Sequence, residues 1–293
     1  MRLIQTNTSL NNYKIAICNK SWFIILIKDY IMKWPNTLTV VRHGESDYNR
    51  LKLLKEQDPK YKEFKSAFNG HRKSPDRAKH AAELANALLE DGTYTVGVSD
   101  FNTPLTSTGE QQSETTGRAL KGLIDKPDVI LVSPYLRTVE TLRFMAIGWP
   151  ALKDVKTVQD DRLREQEHGL ANLYNDWRIF TILHPEQERL RDQEGPYWYR
   201  YPQGENVPDI RERNRSLLGT ITRDYREQNV LVVTHHLSIL ALRANLERLD
   251  DKEYLMLDTD QKPINCGATI YKGQPDQGKN GKLVLDVYNQ KLY

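Results

Sequence analysis

Three short apolar runs along the chain predict buried β-strands. They cover residues 38–41, 129–132 and 230–233. Each run is rich in valine, isoleucine or leucine and lacks the regular alternation of apolar and polar positions that marks a half-exposed strand. This pattern is typical of strands in a sheet that is covered on both faces.

Helical patterns lie between these strands. Ser107 and Glu110 have the spacing of a capping box, which predicts a helix over residues 111–123. Residues 137–145 and 237–249 also have helical patterns, and the latter places several leucines on one face. Because strands alternate with helices, we predict an α/β fold, namely a three-layer α/β/α sandwich with a mostly parallel central sheet.

The long segment over residues 51–101 is predicted to be an insertion that folds onto the main domain. Its front is charged, and Ser74 followed by Pro75 is a typical helix start with Ser74 as the cap. Gly92 is expected to end this helix. Its predicted apolar face consists of Ala81, Leu84, Ala87 and Leu88.

The ends of the chain are predicted to differ from the central α/β pattern. Residues 268–272 and 282–288 predict a hairpin around a loop rich in glycine, proline and asparagine. Residues 1–36 are predicted to be an N-terminal extension whose apolar run of six residues is too short for a secretory signal. We hypothesise that translation starts at Met32. The remaining residues, 37–293, are predicted to form one domain that contains the insertion.

Composition and charge narrow the class of protein. Of the 293 residues, 39% are hydrophobic, which is enough for a core and too many for a disordered chain. The 42 basic and 39 acidic residues give a net charge of +3, so no nucleic-acid partner is expected. The two cysteines, Cys18 and Cys266, exclude a disulfide scaffold and favour a reducing, cytoplasmic location. No apolar stretch approaches the roughly 20 residues of a membrane span, so no membrane partner is expected.

Reactive residue types follow directly after the three predicted strands. Arg42 and His43 follow the first strand, and Arg137 lies just after the second. His235 and His236 follow the third. Because ligands bind beyond the carboxyl ends of strands in open α/β sheets, we expect these arginines and histidines to converge on one crevice. Arginine pairs bidentately with phosphate oxygens and histidine is a nucleophile, so the sequence predicts a phosphoryl-transfer site that needs no metal.

A departing alkoxide needs a proton, and Glu165 is the candidate acid, with Glu167 of the same segment as the reserve.

For His235 and His236, a metal-binding pair is the alternative interpretation. Adjacent residues of a strand point to opposite faces, which argues against chelation of one ion, so we predict no metal site.

Six segments of the chain resemble motifs of the histidine phosphatase superfamily, which is also called phosphoglycerate-mutase-like. They occur in the family's order and span residues 37–269. Six ordered matches are far more specific than a lone RHG. The segments are RHGES with Asn49 shortly after it, LTSTGEQQ (105–112), SPYLRTVET (133–141), LREQEHG (163–169), PQGEN (202–206) and VLVVTHH (230–236).

The resemblance implies a role for each matching residue. His43 is expected to attack phosphorus and become a phosphohistidine. Glu165 is expected to protonate the leaving group and then to activate water. The attacking nitrogen of His43 must be unprotonated, so its other nitrogen is expected to donate to a carbonyl. The residues expected to hold phosphoryl oxygens are Arg42, Asn49, Arg137 and His235.

Several features depart from the family pattern and bear on the substrate. His236 stands where the family usually has glycine, and we count it among the substrate-binding residues at the rim of the pocket. The insertion over 51–101 is longer than in the smaller members. The aromatic-rich segment 169–204 is expected to set specificity, although packing in the core is the favoured role of its aromatic side chains. This segment lacks the Arg-Arg pair that cofactor-dependent mutases usually carry, and it is similar to the branch with broad-specificity phosphatases.

These observations predict a metal-independent phosphomonoester hydrolase that acts on a small phosphorylated substrate and needs no cofactor. One alternative is a phosphoglycerate mutase, which returns the phosphoryl group to a sugar acid instead of to water. An alternative of another class is an inactive module that binds a phosphorylated ligand. The presence of Arg42, His43, Arg137, Glu165 and His235 argues against the inactive module. The identity of the substrate and the oligomeric state are left open.

Overall fold

The computed structural model describes residues 13–16, 25–28, 32–92 and 96–293. Within these residues the strands form a two-stranded sheet and a six-stranded sheet. The strands are β1 (Tyr13–Ala16), β2 (Ile25–Lys28), β3 (Thr37–Arg42), β4 (Val129–Val132), β5 (Lys156–Gln159), β6 (Asn229–Thr234), β7 (Ala268–Gln274) and β8 (Lys282–Gln290).

The six-stranded sheet is mixed and has the order β5-β4-β6-β3-β7-β8. The strands β5, β4, β6 and β3 run parallel to one another. The strands β7 and β8 form an antiparallel hairpin at one edge, next to β3. The mostly parallel sheet and the C-terminal hairpin are therefore confirmed. The three strands predicted from the apolar runs are β3, β4 and β6, and they are neighbours in the middle of the sheet.

Helices cover both faces of this sheet, and short 3-10 turns connect several of them. The α-helices of the described residues are α1 (Asp47–Gln57), α2 (Pro59–Gly70), α3 (Pro75–Asp91), α4 (Ser107–Leu123), α5 (Leu136–Gly148), α6 (Trp177–Leu183), α7 (Pro185–Glu194), α8 (Val207–Asp224), α9 (His236–Glu247) and α10 (Asp251–Asp260).

Two hydrophobic clusters join these helices to the sheet. On one face, Val40 belongs to a buried cluster with Leu217 of α8. On the other face, Val41 belongs to a cluster with Leu120 of α4 and Met145 of α5. Successive residues of a strand point to opposite faces, so the unbroken apolar runs of β3, β4 and β6 supply both clusters. The predicted three-layer sandwich is confirmed.

The capping box predicted at Ser107 is wrong. The helix α4 begins at Ser107 itself, and its N-cap is Thr106, whose hydroxyl accepts from the backbone N–H of Gly109 at 3.1 Å. Thr106 occupies this position because its own backbone N–H donates to the carbonyl of Glu45 at 2.9 Å. The start of α4 is therefore fixed by the loop that follows β3, which is a tertiary contact.

The segment predicted as an insertion contains most of α1 and all of α2 and α3. Ser74 caps α3 by accepting from Arg77 N, and Gly92 ends the helix with a φ of 63°, as predicted. The predicted apolar face is wrong at Ala87, which is exposed. The buried stripe follows the i, i+4, i+7 spacing instead, and its members are Ala81, Ala85 and Leu88.

The helices α2, α3 and α6 share a hydrophobic cluster of their own, separate from the two clusters at the sheet. Tyr61 and Phe64 of α2 contribute aromatic rings, and Ile179 and Ile182 come from α6. The cluster therefore joins the predicted insertion to the aromatic-rich segment, although Tyr61 and Ile179 are 118 positions apart along the chain. We call this group of three helices the α2/α3/α6 unit.

Glycines allow α4 and α5 to cross closely. A Cβ at Gly117 of α4 would lie 2.2 Å from the carbonyl oxygen of Met145 in α5. Gly117→Ala should therefore lower the free energy of unfolding by about 1–3 kcal/mol. Gly122→Ala is the matched control, because a Cβ at this position of the same helix meets open space. It should be neutral or slightly stabilising in urea unfolding, and equal stabilities for the two variants would contradict the close crossing.

Most of the predicted N-terminal extension lies outside the described residues, as does Cys18. In the part of the extension that the structure describes, β1 and β2 pair with each other. The backbone N–H of Lys33 donates to the carbonyl of Asn280 at 2.9 Å, which joins the start of the continuous structure to the β7–β8 hairpin loop. The start at Met32 and the domain boundaries stay predictions. None of the described helices is both long and apolar enough to cross a membrane.

Candidate active site

The carboxyl ends of the three central strands bring the predicted residues together. Arg42 is the last residue of β3 and is in register with Thr234, the last residue of β6. His43 and His235 follow these two residues, and their ring centroids are 5.2 Å apart. Arg137 lies in the first turn of α5, which follows β4. The convergence expected from the strand ends is therefore present in the fold.

A backbone carbonyl fixes the tautomer of His43. The side chain is buried, with a relative exposure of 3%, and Nδ1 lies 2.7 Å from the carbonyl oxygen of Gly44. A carbonyl oxygen only accepts hydrogen bonds, so Nδ1 carries the hydrogen and Nε2 has a free electron pair. Gly44 in turn donates its N–H to Thr141 Oγ1 at 2.9 Å, which anchors the loop on α5.

The surroundings of His43 keep its imidazole neutral. Burial lowers the pKa of His43 well below its usual value, and the positive charges of Arg137 and Arg42 lower it further. The hydrogen bond to Gly44 opposes these effects and does not overcome them. A neutral ring with a free Nε2 is the form of histidine that acts as a nucleophile.

The lowered pKa of His43 predicts that the stability of the fold depends on pH. Above the usual pKa of 6.5, folded and unfolded His43 are both neutral. Below it, the unfolded chain binds a proton that folded His43 does not, so the free energy of unfolding falls by up to about 1.4 kcal/mol per pH unit. Urea unfolding from about pH 7.5 to about pH 5.5 should show a shallower pH dependence for His43→Asn than for the wild type. Equal slopes would mean that His43 takes up its proton as readily in the fold as in the unfolded chain.

His235 offers a buried nitrogen beside the nucleophile. Its Nε2 lies 2.8 Å from the hydroxyl oxygen of Ser133, and the ring of Tyr135 packs edge-on against it at 5.0 Å. Burial, together with the charge of Arg137, lowers the pKa of His235 well below its usual value. Nδ1 is buried and has no hydrogen-bond partner within the described part of the chain. With the Ser133 hydroxyl donating to Nε2, Nδ1 carries a hydrogen that a ligand oxygen can accept.

The guanidinium group of Arg42 is only partly occupied. Its Nη1 donates to the carbonyl of Pro263 at 2.8 Å, which fixes the side chain across the end of the sheet. Its Nε is buried and has no acceptor among the residues that the structure describes. Burial lowers the pKa of Arg42, and the carboxylate of Glu165 opposes this shift. Arg42 therefore keeps donors for an anionic ligand and has a carboxylate in its surroundings.

Arg137 is paired with Asp100 in this structure. Its side chain is 5% exposed, and Nη1 lies 3.0 Å from Asp100 Oδ1 and 2.6 Å from the Asp100 carbonyl oxygen. The guanidinium carbon also lies 4.8 Å from the centre of the Tyr135 ring. A phosphoryl group that approaches Arg137 must therefore share its donors with the Asp100 carboxylate or displace it.

Glu165 sits at the N-terminus of α9. Its Oε1 accepts from the backbone N–H of Leu237 at 3.1 Å and from that of Gln166 at 3.0 Å. These two bonds orient the carboxyl group at the first turn of α9, the helix that His235 caps. Glu167, the reserve, differs in its surroundings, because its Oε1 accepts from Asn172 Nδ2 at 2.9 Å. Among the contacts described, Glu165 and not Glu167 accepts a hydrogen bond from the backbone of α9, the helix that His235 caps.

His236 is not on a strand, contrary to the prediction. The strand β6 ends at Thr234, His235 is the N-cap of α9, and His236 is its first residue. The argument from opposite faces of a strand therefore does not apply. His236 Nε2 lies 2.9 Å from Asp258 Oδ1 of α10, whereas His235 Nε2 faces Ser133. No group of three or more histidine, cysteine or acidic side chains among the described residues is placed to hold a metal ion.

The side-chain amide of Asn49 has an oxygen that the fold uses and a nitrogen that is available to a ligand. It forms a capping box with Ser46 at the start of α1, and its Oδ1 accepts from the backbone N–H and the hydroxyl of Ser46. The same oxygen accepts from Asn265 Nδ2 at 3.0 Å. Because these donors occupy Oδ1, the Nδ2 group of Asn49 is the part that can donate to a ligand.

Sequence reasoning missed three contributors to this site. Asn265 contacts the loop after β3, and Asp100 pairs with Arg137. Arg213 donates to the carbonyl of Glu165 at 3.1 Å and pairs with Glu205 at 2.9 Å. Glu205 belongs to the PQGEN segment, so a motif pointed to that region. For Asn265, Asp100 and Arg213, no local pattern in the sequence gave a signal.

Comparison with known proteins agrees with the geometry. The family model of the histidine phosphatase superfamily (branch 1) matches residues 93–280, which is more than half of the chain. The chain therefore belongs to this superfamily. The matched range contains Arg137, Glu165 and His235, and it begins after Arg42 and His43.

Relatives with curated descriptions include mutases and mutase-like proteins. A phosphoglycerate mutase-like protein of Arabidopsis thaliana is 26% identical over 180 residues, which cover 55% of this chain and 60% of that protein. The chain thus spans little more than half the length of this relative. A 2,3-bisphosphoglycerate-dependent phosphoglycerate mutase of Rhizobium rhizogenes is 26% identical over 267 residues, which cover 85% of this chain and 95% of the enzyme.

A solved structure shows the same fold. The mycobacterial glucosyl-3-phosphoglycerate phosphatase in complex with inorganic phosphate matches with a TM-score of 0.56 and 19% identity. The match covers 88% of this chain and 98% of the phosphatase.

Proposed function

We propose that the protein hydrolyses phosphomonoesters through a phosphohistidine formed on His43. The observation that carries this proposal is the hydrogen bond from His43 Nδ1 to Gly44 within a buried, cationic site. It leaves Nε2 unprotonated beside the guanidinium groups of Arg42 and Arg137, both of which act on the pKa of His43. An electron pair on nitrogen next to two guanidinium groups suits attack on phosphorus, because the arginines stabilise the charge on the phosphoryl oxygens.

The proposed reaction has two steps. In the first step, His43 Nε2 attacks phosphorus and the ester P–O bond breaks. The leaving oxygen takes the electron pair of that bond and a proton from the carboxyl group of Glu165. In the second step, the Glu165 carboxylate takes a proton from water as the water oxygen attacks phosphorus. The P–N bond then breaks, Nε2 regains its electron pair, and inorganic phosphate leaves.

The contacts of Glu165 suit this exchange of protons. Its Oε1 already accepts two backbone N–H groups, so a proton on the carboxyl group belongs on Oε2. Oε2 is then the atom that donates to the leaving group and later accepts from water. Arg213 holds the backbone carbonyl of the same residue, which keeps the segment in place.

Arg42, Arg137, Asn49 and His235 are proposed to bind the phosphoryl oxygens. Each of them has a donor or cation at the crevice. The unpartnered atoms, Arg42 Nε and His235 Nδ1, support this assignment, because buried polar atoms without partners are costly unless a ligand satisfies them. His236, whose side chain is 19% exposed, is proposed to contact the substrate at the rim.

A phosphoglycerate mutase is the second candidate, because the Rhizobium mutase aligns over 95% of its length. Hydrolysis is favoured because three of the four arginines in the segment expected to set specificity are engaged by other side chains. A mutase must hold a sugar acid during the return transfer, which calls for cations that can pair with its carboxylate. Here Arg178 lies 3.8 Å from Asp176, Arg191 stacks on the ring of Trp177, and Arg200 pairs with Asp209.

The test is a panel of phosphomonoesters assayed for inorganic phosphate in excess EDTA. The panel includes p-nitrophenyl phosphate, sugar phosphates and 3-phosphoglycerate. We expect phosphate release, with the best ester indicating the class of substrate. Formation of 2-phosphoglycerate from 3-phosphoglycerate without phosphate release would favour the mutase. Tight binding of phosphate or a phosphorylated ligand without turnover of any ester would favour the inactive module.

A further inference from the structure

The side chain of Asn265 touches the nucleophile loop at three points. Its Nδ2 lies 3.1 Å from the carbonyl oxygen of His43, 3.1 Å from that of Gly44 and 3.0 Å from Asn49 Oδ1. An amide nitrogen has two hydrogens, so these three acceptors share two donors. Asn265 is 222 positions away from His43 in the chain. It nevertheless contacts the backbone of His43, the backbone of Gly44 and the side chain of Asn49, which is proposed to bind the phosphoryl group.

The carbonyl of Gly44 connects Asn265 to the imidazole of His43. The same oxygen accepts from His43 Nδ1 at 2.7 Å and from Asn265 Nδ2 at 3.1 Å. A carbonyl oxygen has two electron pairs, so both bonds can form at once. The amide of Asn265 therefore restricts the direction of the carbonyl that sets the tautomer of His43. If that carbonyl turned away, the hydrogen on Nδ1 would lose its acceptor, and the tautomer with hydrogen on Nε2 would become more populated.

The loop that carries Asn265 is itself fixed to the end of β3. The backbone N–H of Cys266 lies 3.1 Å from the carbonyl of Arg42 and 3.2 Å from that of His43. Cys266 has a φ of 51°, in the left-handed region that non-glycine residues rarely adopt, so the loop holds a specific conformation at this point. Pro263, two residues before Asn265, accepts from Arg42 Nη1. The position of the Asn265 amide is thus set from both sides.

We propose that Asn265 is a positioning residue for the nucleophile. It holds the Gly44 carbonyl toward His43 Nδ1, which keeps Nε2 free for attack, and it occupies Asn49 Oδ1, which turns the Asn49 amide nitrogen toward the ligand. This inference rests on the proposed role of His43 as the nucleophile. Partners that orient a metal-binding side chain in this way typically contribute 10- to 100-fold to activity, and we expect an effect of the same size here.

Asn265→Asp keeps the shape of the side chain and replaces the donor by an acceptor, and Asn265→Ala removes the donor without adding a charge, so both variants are measured. We expect kcat for p-nitrophenyl phosphate to fall about 10- to 100-fold. In protein labelled with ¹⁵N-histidine, the His43 ring should shift from the Nδ1–H tautomer toward the Nε2–H tautomer. The His43 signals are assigned by comparison with His43→Asn. Asn265→Ala should show the same two changes, and circular dichroism confirms that each variant is folded.

Asn289→Ala is the matched control. Asn289 also holds this loop, since its Oδ1 accepts from Ile264 N at 2.7 Å and its Nδ2 donates to the carbonyl of Lys262 at 2.8 Å. It has no bond to the nucleophile loop among the contacts described, so the tautomer and kcat should stay at wild-type values. Equal losses in Asn289→Ala and Asn265→Asp would overturn the proposal and assign the effect to loop order. An unchanged tautomer in Asn265→Asp would overturn it as well.

The tautomer measurement separates this inference from the proposed function. If the wild-type protein forms no phosphohistidine, the hydrolase assignment fails, and the ¹⁵N signals still report whether Asn265 sets the tautomer. If wild-type turnover depends on His43 while Asn265→Asp retains full kcat, the hydrolase assignment stands and the positioning role fails.

Discussion

Replacing His43 by asparagine is expected to lower kcat for p-nitrophenyl phosphate by about a thousandfold or more. The asparagine amide can still donate to the Gly44 carbonyl from the place of Nδ1, so the loop should keep its conformation. What is lost is Nε2, the only atom of this side chain that can attack phosphorus. Affinity for inorganic phosphate should survive in part, because Arg42 and Arg137 are unchanged. Steady-state kinetics and isothermal titration with phosphate measure the two effects separately.

The phosphohistidine intermediate can also be tested for directly. Rapid-quench mass spectrometry of the wild-type protein with p-nitrophenyl phosphate should detect a phosphorylated protein whose label is lost in acid, as expected for phosphohistidine. The label should be missing in His43→Asn. His80→Asn, at an exposed position of α3, is the control for losing one imidazole and should behave as the wild type. Full turnover in His43→Asn would remove His43 from the mechanism.

Replacing Arg137 by lysine is expected to lower kcat/KM by about 10- to 100-fold. Arginine presents a planar fork, and here that fork serves Asp100 on one side while other donors remain for a phosphoryl group. Lysine has a single ammonium group that cannot span two oxygens in the same geometry. The ammonium group would also pair with the Asp100 carboxylate, which weakens its interaction with the phosphoryl group of the substrate. The loss should appear in both kcat and KM, because the fork is proposed to hold the phosphoryl oxygens before and during transfer.

The same helix provides the control for this variant. Arg143 lies two turns further along α5, is exposed, and reaches Glu140 only at 3.9 Å. Arg143→Lys should therefore retain wild-type kinetics. Unchanged kinetics in Arg137→Lys as well would show that this guanidinium group takes no part in binding the phosphoryl group.

The central layer of the fold was predictable from the sequence because burial on both faces leaves a strong local signal. The runs in β3, β4 and β6 are apolar at nearly every position, so they could be assigned without knowing their partners. The order of the strands in the sheet could not be predicted in this way, because it depends on contacts between segments that are far apart in the sequence. The edge strand β5 was missed because its residues are mostly exposed and polar, and thus resemble a loop. The error at Ala87 has a similar cause, because only packing against α2 and α6 decides which face of α3 is buried.

The reactive residues of the candidate site were predictable, whereas most of their supports were not. Arg42, His43 and His235 follow apolar runs, so topology alone places them at one edge of the sheet. The contacts of Arg137 with Asp100, and of Gly44 with Asn265, join residues with no common pattern in the sequence. His236 was placed wrongly because the argument against chelation extended the strand to it, whereas β6 ends two residues earlier, at Thr234, and His236 begins α9. A shift of that size lies within the uncertainty of element boundaries, and it changes the direction of a side chain.

The distance along the chain between His43 and Asn265 has a consequence for the order in which the site is made. At about 5–20 residues per second, a ribosome needs roughly 10 to 45 s to pass from the first residue to the second. During that interval the nascent chain carries its reactive histidine without the amide that restricts the Gly44 carbonyl. The strand that ends in Arg42 also lacks both neighbours, β6 and β7, which are synthesised late. Full competence for phosphoryl transfer is therefore acquired late, after the segment around Asn265 and β7 have left the ribosome and packed against β3.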